Sequence, residues 1–347
     1  MPHFLRLLDK ATFELFSVYT TERLGIPRQS VGSLLKTIIK AFYSDHFVLP
    51  LPEGHRFPMA KYRLLRERVE LGIPAAALTE PPAATDGQLA LAHTPDYIAR
   101  LCNGTLTAQQ QRALGFPWSI QMVERSRRST GATIAACQAA IIDGAAVNLA
   151  GGTHHAFADR GEGFCCFNDV AVAARLMQAQ RLASNVLIID LDVHQGNGTA
   201  AILGNDDSIF TLSMHGEQNY PFRKELSDLD VGLADGLGDA DYLIKLGAAL
   251  HTVEMRFKAD LIIYLSGADV YAGDRLGRLK LTEQGIAARD AMVMSWAGQR
   301  NLPVAACMGG GYCPRIEETV AIHFNTVLAL NAYCEAFEPR PAIKLLP

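Results

Sequence analysis

The chain has 347 residues, of which 49% are hydrophobic and 20% are charged, an ordinary composition for a globular protein. Its formal net charge of −4 lacks the basic excess of most nucleic-acid-binding proteins, so we expect no nucleic-acid partner. The seven cysteines include no CxxC pair, which favours a reducing compartment. The sequence has no apolar run of the roughly 18 residues that span a bilayer, and it has no secretory signal pattern. We therefore expect a cytoplasmic location.

Residues 1–37 differ from the rest of the chain because they precede the first clear strand pattern. They carry helical periodicity in two pieces, which are split around Gly25-Ile26-Pro27. We expect them to form a non-catalytic helical extension, and we expect residues 38–347 to form one further domain.

From residue 38 onward, short apolar runs alternate with longer segments of helical spacing. The short runs predict buried parallel strands at Ile38–Tyr43, Ala146–Ala150, Val186–Asp190, Ile209–Met214, Leu261–Ser266 and Pro303–Met308. The helical segments are roughly 59–71, 130–143, 169–181, 240–257, 282–299 and 315–337. This alternation predicts an α/β fold, in which helices cover both faces of a central, mostly parallel sheet.

Glycine-rich or proline-rich loops follow several of these strands. They read GGTHHAF, HQGNG, HGEQNYPF, GADVYAGD and GGGYCP. Because open α/β sheets bind ligands at the carboxyl ends of their strands, we expect the functional site at that edge.

The first of these loops contains two adjacent histidines, His154 and His155, after two glycines. A single histidine is more often structural, but a tandem pair beside glycines favours a catalytic role. Neutral histidine can act as a general base and charged histidine as a general acid. Each ring needs a partner that fixes its tautomer, and Asp190 and Asn197 are the candidates.

The strand Val186–Asp190 leads into Asp192 and His194. The spacing i, i+2, i+4 places Asp190, Asp192 and His194 on one side of an extended chain, where a carboxylate and an imidazole can share a divalent metal. Taken alone, the pattern fits a solvated strand end equally well. Asp269 follows another buried strand and supplies a third ligand, although a turn aspartate after glycine is the ordinary alternative. Three protein ligands with open positions are typical of catalytic zinc, and oxygen-rich ligation also suits Fe²⁺.

The last loop, Met308–Tyr312, has three glycines before the tyrosine. Glycines let the backbone approach a ligand closely, and a tyrosine hydroxyl can donate a hydrogen bond to a developing oxyanion. Taken alone, this loop favours a flexible turn with a packed tyrosine, so its interpretation depends on the other motifs.

Together these motifs resemble the histone deacetylase family in residue type and order, from about Ala41 to the C-terminus. The resemblance includes the segments Phe57–Tyr62, His93–Tyr97, Gly163–Asp169 and Gly273–Gly277. The sequence His194-Gln195-Gly196-Asn197-Gly198 is similar to the class IV branch and its bacterial relatives. The resemblance implies an arginase/deacetylase-like fold, with residues 38–347 as the catalytic domain.

By resemblance, one Zn²⁺ is bound by Asp192, His194 and Asp269. His155 is then the general base, with His154, held by Asp190, as an electrostatic partner and Asn197 facing His155. Tyr312 stabilises the oxyanion formed by metal-activated water. The substrate tunnel is lined by Gly163, Phe164, Tyr220 and Leu276. The family also binds K⁺, here through Asp190, Asp192, His194, Ser213 and Met214.

The implied function is zinc-dependent hydrolysis of an N-acyl amide, foremost deacetylation or deacylation of N-ε-acyl-lysine in proteins. The acyl group is open, since short-chain acyl-lysine fits the same catalytic core and the class IV resemblance adds long fatty acyl-lysine as an alternative. The alternative is an acetylpolyamine or another small acylated amine, for which Glu217 is a candidate acidic rim residue. An arginase-like ureohydrolase would need a second metal-binding aspartate where this chain has Gly196. A binder of acyl-lysine without turnover is a further alternative, which the complete set of catalytic groups disfavours. The sequence does not indicate an oligomeric state.

Overall fold

The computed structural model describes residues 38–338. The predicted helical extension at residues 1–37 lies outside the described residues. The described strands are β1 (Lys40–Phe42), β2 (Ala77–Thr79), β3 (Ala145–Asn148), β4 (Val186–Asp190), β5 (Ile209–Gly216), β6 (Leu229–Leu233), β7 (Leu261–Ser266) and β8 (Val304–Met308). The described helices are α1 (Ala60–Gly72), α2 (Asp86–Leu89), α3 (Pro95–Cys102), α4 (Ala108–Leu114), α5 (Ile120–Asp143), α6 (Asp169–Ala179), α7 (Asn197–Leu203), α8 (Asp239–Arg256), α9 (Glu283–Gly298) and α10 (Ile316–Ala336).

The strands form one sheet of eight in the order β2-β1-β3-β8-β7-β4-β5-β6, and every neighbouring pair is parallel. The predicted α/β fold with a parallel central sheet is therefore confirmed. Two strands, β2 and β6, were not predicted. Both lie at edges of the sheet and both are partly exposed, so they lack the uninterrupted apolar run of a central strand.

Four short helices, α2, α3, α4 and α7, were also not predicted. They have 4 to 8 residues each, too few for an amphipathic period to stand out. Helix α5 begins at Ile120 rather than near residue 130, because the Ser119 hydroxyl accepts a hydrogen bond from Met122 N–H and caps the helix there.

The sheet separates two apolar cores, one against each face. In β4, Leu187 and Ile189 belong to one core, whereas Val186 and Ile188 belong to the other. A strand buried on both faces needs apolar residues at consecutive positions, which is the pattern of this sequence. No helix within residues 38–338 is long and apolar enough to cross a membrane.

The sheet order determines where the candidate site lies. Strands β3, β8, β7 and β4 are consecutive neighbours and all run in the same direction. Their carboxyl ends therefore bring the loops that begin at Gly151, Gly309, Gly267 and Leu191 to one edge of the sheet. Segments more than 150 residues apart in the chain become adjacent there.

A fully buried arginine on α9, Arg289, connects two of these strand ends. Its guanidinium donates hydrogen bonds to the Leu191 carbonyl at 3.3 Å and to the Gly267 carbonyl at 2.7 Å. The charge is balanced by Asp290, whose Oδ1 lies 2.8 Å from Arg289 Nη2. Asp290 also accepts hydrogen bonds from Tyr264 and Thr326 hydroxyls. One cation therefore fixes the backbone immediately after β4 and β7.

We expect Arg289→Met to lower the free energy of unfolding by about 3–5 kcal/mol, because it leaves the buried Asp290 carboxylate without its cation. Urea denaturation of the purified variant measures this loss. The control is Arg278→Met, which removes an exposed ion pair with Asp235 and should change stability by less than about 1 kcal/mol. Equal stability of the two variants would contradict the assigned role of Arg289.

Candidate active site

Asp192, His194 and Asp269 converge beyond the carboxyl ends of β4 and β7, and all three are buried. One ligand atom from each lies within 4.8 Å of the others. His194 Nδ1 is 3.0 Å from Asp192 Oδ1 and 3.1 Å from Asp269 Oδ2. Backbone amides hold the other two carboxylate oxygens, since Gly310 N–H donates to Asp192 Oδ2 at 2.6 Å and Val193 N–H donates to Asp269 Oδ1 at 3.0 Å. The Asp192 oxygen nearest His194 Nδ1 also accepts the His194 N–H at 2.9 Å, so backbone amides anchor both oxygens of Asp192 and one oxygen of Asp269.

The electrostatics of this group fit a divalent cation. Asp269 Oδ2 is buried without a hydrogen-bond partner among the described residues. Burial and repulsion from Asp192 raise the pKa of Asp269 to about 7. Burial also opposes the ionisation of Asp192, but the positive charges of His154 and His194 hold the pKa of Asp192 well below its usual value. Burial disfavours the charged form of His194, but Asp192 and Asp269 outweigh it and raise the pKa of His194 to about 10, so the two carboxylates attract a positive charge to this centre. Two carboxylates and one imidazole are also ligand types that zinc accepts.

Glycines let the backbone pack directly against the two carboxylates. A Cβ on Gly310 would lie 1.8 Å from Asp269 Oδ2, and a Cβ on Gly267 would lie 2.5 Å from Asp192 Cα. The glycines before Tyr312 were predicted to allow close approach of a ligand. In the structure, Gly310 makes its close approach to the metal-site carboxylates themselves.

The two adjacent histidines face the same centre, with ring centroids 4.2 Å apart, but they have different partners. His154 donates from Nδ1 to Asp190 Oδ2 at 2.7 Å, and His155 donates from Nδ1 to Asn197 Oδ1 at 2.7 Å. Burial disfavours the charged form of His154, yet the attraction and hydrogen bond of Asp190 outweigh it and raise the pKa of His154 to about 9.

His155 is in the opposite state. Burial and the neighbouring positive charges of His154 and His194 hold the pKa of His155 well below its usual value, and the hydrogen bond to the neutral Asn197 opposes this only in part. With its Nδ1 proton committed to Asn197, His155 presents an unprotonated Nε2. The pair therefore consists of one charged ring and one neutral ring that can accept a proton.

Tyr312 lines the same pocket as the two histidines, with its ring 6.5 Å from the His194 ring at an angle of 83°. Its position is fixed through the backbone, because Tyr312 N–H donates to Asp274 Oδ2 at 2.6 Å and its carbonyl accepts from Arg275 Nε at 3.0 Å. The other oxygen of Asp274 accepts from the backbone amides of Leu276 and Gly277. The sequence analysis includes Asp274 only as part of the segment Gly273–Gly277. The structure shows that Asp274 positions the loop that contains Tyr312.

A narrow pocket leads to this centre past Gly163 and Phe164. A Cβ on Gly163, whose φ is 54°, would lie 2.7 Å from His155 Cδ2. Phe164 also has a left-handed backbone, with a φ of 69°, which a bulky residue rarely adopts. The two amides donate to the Ala113 and Leu114 carbonyls at the end of α4, and these bonds hold the strained turn in place.

The remaining predicted residues lie at different distances from the centre. The Tyr220 ring stands 5.0 Å from the His155 ring, edge to face, and its hydroxyl donates to Glu162 at 3.1 Å. Leu276 is not part of the pocket walls and packs against a core cluster. For the predicted K⁺ ligands, β4 and β5 pair Asp190 with Ser213, and the Ser213 hydroxyl is hydrogen-bonded to His215. Met214 is buried, and the potassium site stays a prediction.

The inner wall of the pocket contains residues that sequence reasoning did not assign. They are Lys61 and Tyr62 of α1 and Arg125 and Ser129 of α5. Lys61 and Arg125 are charged residues on buried helix faces, and a charge at a buried helical position is a signal by which the sequence could have identified them. Lys61 also lies within the segment Phe57–Tyr62, which the resemblance includes.

The comparisons with known proteins agree with this geometry. The family model of the histone deacetylase domain matches residues 55–327. The chain is 45% identical over 283 residues to an uncharacterized protein of Picosynechococcus sp., covering 81% of this chain and 94% of the relative. It is 32% identical over 296 residues to histone deacetylase 2 of Arabidopsis thaliana, covering 82% and 76% of the two chains.

Solved structures give the same result. The chain resembles the crystal structure of an HDAC homologue from Aquifex aeolicus with a TM-score of 0.73 and 24% identity, covering 86% of this chain and 87% of that chain. An HDAC homologue solved in complex with SAHA matches with a TM-score of 0.73, 25% identity and the same coverage. The resemblance to the class IV branch stays a prediction.

We expect Gly310→Ala to abolish metal binding, because the added methyl group would lie 1.8 Å from Asp269 Oδ2 and displace a proposed ligand. Metal analysis after equilibration with Zn²⁺ and dialysis should fall from about one ion per chain to near zero. The control is Gly247→Ala on α8, where an added Cβ meets nothing within 4 Å. Full zinc content in a folded Gly310→Ala variant would show that the carboxylates are not the ligands.

Proposed function

The chain belongs to the histone deacetylase family, and from that premise we propose that it hydrolyses N-acyl amides, with N-ε-acyl-lysine in proteins as the substrate. The observation that carries this proposal is the convergence of three groups in one pocket. These are a buried ligand triad, a neutral histidine with a free Nε2, and a tyrosine whose ring lies 6.5 Å from that of His194.

The proposed ligands of a single Zn²⁺ are Asp192, His194 and Asp269, supported by the shared centre and by the unpartnered oxygen of Asp269. When bound there, the ion supplies Lewis-acid chemistry, polarising an acyl carbonyl and lowering the pKa of water.

The residues around this centre have separate roles. His155 Nε2 takes a proton from the attacking water and later delivers it to the departing amine. Asn197 keeps the Nδ1 proton of His155 in place, so that the reacting nitrogen is always the one that faces the pocket. His154, held in its charged form by Asp190, adds a positive charge beside the developing oxyanion, to which the Tyr312 hydroxyl donates a hydrogen bond. Burial strengthens each of these interactions because water is excluded.

The pocket supports a slim acylated chain as the substrate. Phe164 forms part of its wall and Tyr220 packs edge to face against His155. Glu217, the candidate rim residue for a cationic polyamine, is exposed and is not part of the pocket walls. Acyl-lysine is therefore favoured over acetylpolyamine.

The geometry at Gly196 disfavours the ureohydrolase alternative. A Cβ at that position would lie 2.5 Å from Asp190 Oδ2 and 3.3 Å from His154 Cβ. An aspartate for a second metal does not fit there without displacing the partner of His154.

Hydrolysis of an acetyl-lysine peptide tests the proposal. We expect the zinc-loaded protein to release acetate, to lose activity with a chelator, and to regain it with Zn²⁺. His155→Ala and Tyr312→Phe should each lower kcat by about 100-fold or more while zinc stays bound, since each removes a proton acceptor or an oxyanion donor. The control is His251→Ala on the exposed face of α8, which should keep full activity. Bound zinc without turnover of any acyl-lysine or acylpolyamine would overturn the proposal.

A second prediction concerns the pH dependence of the reaction. Asn197→Asp places a negative charge at His155 Nδ1 and so raises the pKa of His155. Because the base must be unprotonated, the acidic limb of the kcat/KM profile should move to higher pH by about one unit or more. Asn205→Asp, an exposed loop position, is the control and should leave the profile in place. An unmoved acidic limb in Asn197→Asp would mean that His155 is not the base.

A further inference from the structure

The catalytic pocket continues inward to two buried cations that the proposed reaction does not use. Lys61 and Arg125 both line it, with exposed fractions of 2% and 7%. Neither has a carboxylate partner among residues 38–338. Lys61 Nζ donates to the Gly309 carbonyl at 3.3 Å, and Arg125 Nε is buried without a hydrogen-bond partner.

Both cations lie near the same two aromatic rings, those of Phe57 and Tyr62. Arg125 Cζ is 4.5 Å and Lys61 Nζ is 5.2 Å from the Tyr62 ring centroid, and each is 5.9 Å from the Phe57 centroid. Attraction to ring faces offsets only part of the desolvation of a buried charge. Two like charges beside the same rings also repel each other, so this end of the pocket favours an anion.

The inner chamber, defined by Lys61, Tyr62, Arg125, Ser129, Gly151 and Gly152, is adjacent to the reacting groups. Lys61 Nζ lies 5.4 Å from the Tyr312 ring centroid, so the ammonium group is close to the residue proposed as the oxyanion donor. The pocket has a cavity volume of about 50 Å³, which corresponds to roughly four water molecules. That space, which includes the part of the pocket beside His155 and Tyr312, suits an acyl chain of a few heavy atoms.

We propose that the inner chamber binds the distal carboxylate of a short dicarboxylic acyl group, so that malonyl-lysine or succinyl-lysine is preferred over acetyl-lysine. This inference rests on the proposed amide hydrolysis. The acyl carbonyl lies by Tyr312, and the distal carboxylate accepts hydrogen bonds from Lys61 Nζ and the Arg125 guanidinium. Water adds to the carbonyl carbon, the C–N bond breaks, and His155 transfers the water proton to the lysine nitrogen. The products are free lysine and the dicarboxylic acid.

Pairs of substrates that have the same size but differ in the charge of the acyl group test this inference. Peptides carrying malonyl- or succinyl-lysine are compared with the neutral primary amides of the same acyl groups and with acetyl-lysine. We expect the carboxylate form to exceed its amide by about tenfold or more in kcat/KM, as for a charge-assisted hydrogen bond. Arg125→Gln and Lys61→Met should each lower the ratio of carboxylate to acetyl kcat/KM by about tenfold or more, and Arg125→Lys should restore part of it.

Arg128→Gln is the matched control, because Arg128 lies on the same helix and pairs with Glu80 and Glu124 outside the pocket. It should leave the ratio unchanged. If the Lys61 and Arg125 variants do not fold, binding measurements on the native protein still test the anion site. Malonate should raise its melting temperature and compete with the acetyl peptide, whereas malonamide should do neither.

The outcomes distinguish this inference from the proposed function. Turnover of acetyl-lysine without turnover of malonyl- or succinyl-lysine overturns the inference and leaves the function intact. Malonate binding without a preference for carboxylate-bearing acyl groups shows a site for the free acid and also overturns the inference. No turnover of any acyl peptide overturns the proposed function itself, and a malonate shift that depends on Lys61 would still support an anion site.

Discussion

The structure depends on holding two buried carboxylates, Asp192 and Asp269, on either side of one imidazole. Their charges repel, so their positions need rigid support. Arg289 provides part of that support by donating hydrogen bonds to the carbonyls of Leu191 and Gly267. The backbone amide of Gly310 provides another part by donating to Asp192. The parallel pairing of β4 and β7 provides the shared frame. Two fixed carboxylates that share one imidazole are a set of ligand types that suits a divalent cation.

Around this centre, small differences in partner separate the chemistry of similar side chains. His154 and His155 are adjacent in the chain and equally buried, but a carboxylate faces one and an amide faces the other. The first is therefore a fixed cation and the second a neutral proton acceptor. Charge also changes along the pocket, from the acidic ligand triad to the cations Lys61 and Arg125 at the inner end. In the proposed reaction, the acyl carbonyl of a substrate lies beside Tyr312, the departing amine receives its proton from His155, and the distal end of the acyl group reaches Lys61 and Arg125.

Agreement between sequence and structure is greatest in the middle of the sheet. All six predicted strands are present, because a strand buried on both faces needs a continuous apolar run and little else in a sequence produces one. The edge strands β2 and β6 were not predicted, because each pairs with a single neighbouring strand, is partly exposed and so lacks a continuous apolar run. The short helices were not predicted, because they are too short to show an amphipathic period. Leu276 and Tyr220 lie outside the walls of the pocket around His155, and their place in a substrate tunnel stays a prediction.

The sequence by itself determined the parallel α/β architecture and which polar residues follow the strands. These are local properties, since alternation and the end of an apolar run can be read over fewer than ten residues. Only the tertiary structure decided which side chains form hydrogen bonds with groups that are distant in the sequence. Arg289 is 98 residues from Leu191, Lys61 is 248 residues from Gly309, and Tyr312 is 38 residues from Asp274. Such contacts depend on the order of strands in the sheet and on helix packing across it, and no local pattern in the chain encodes them.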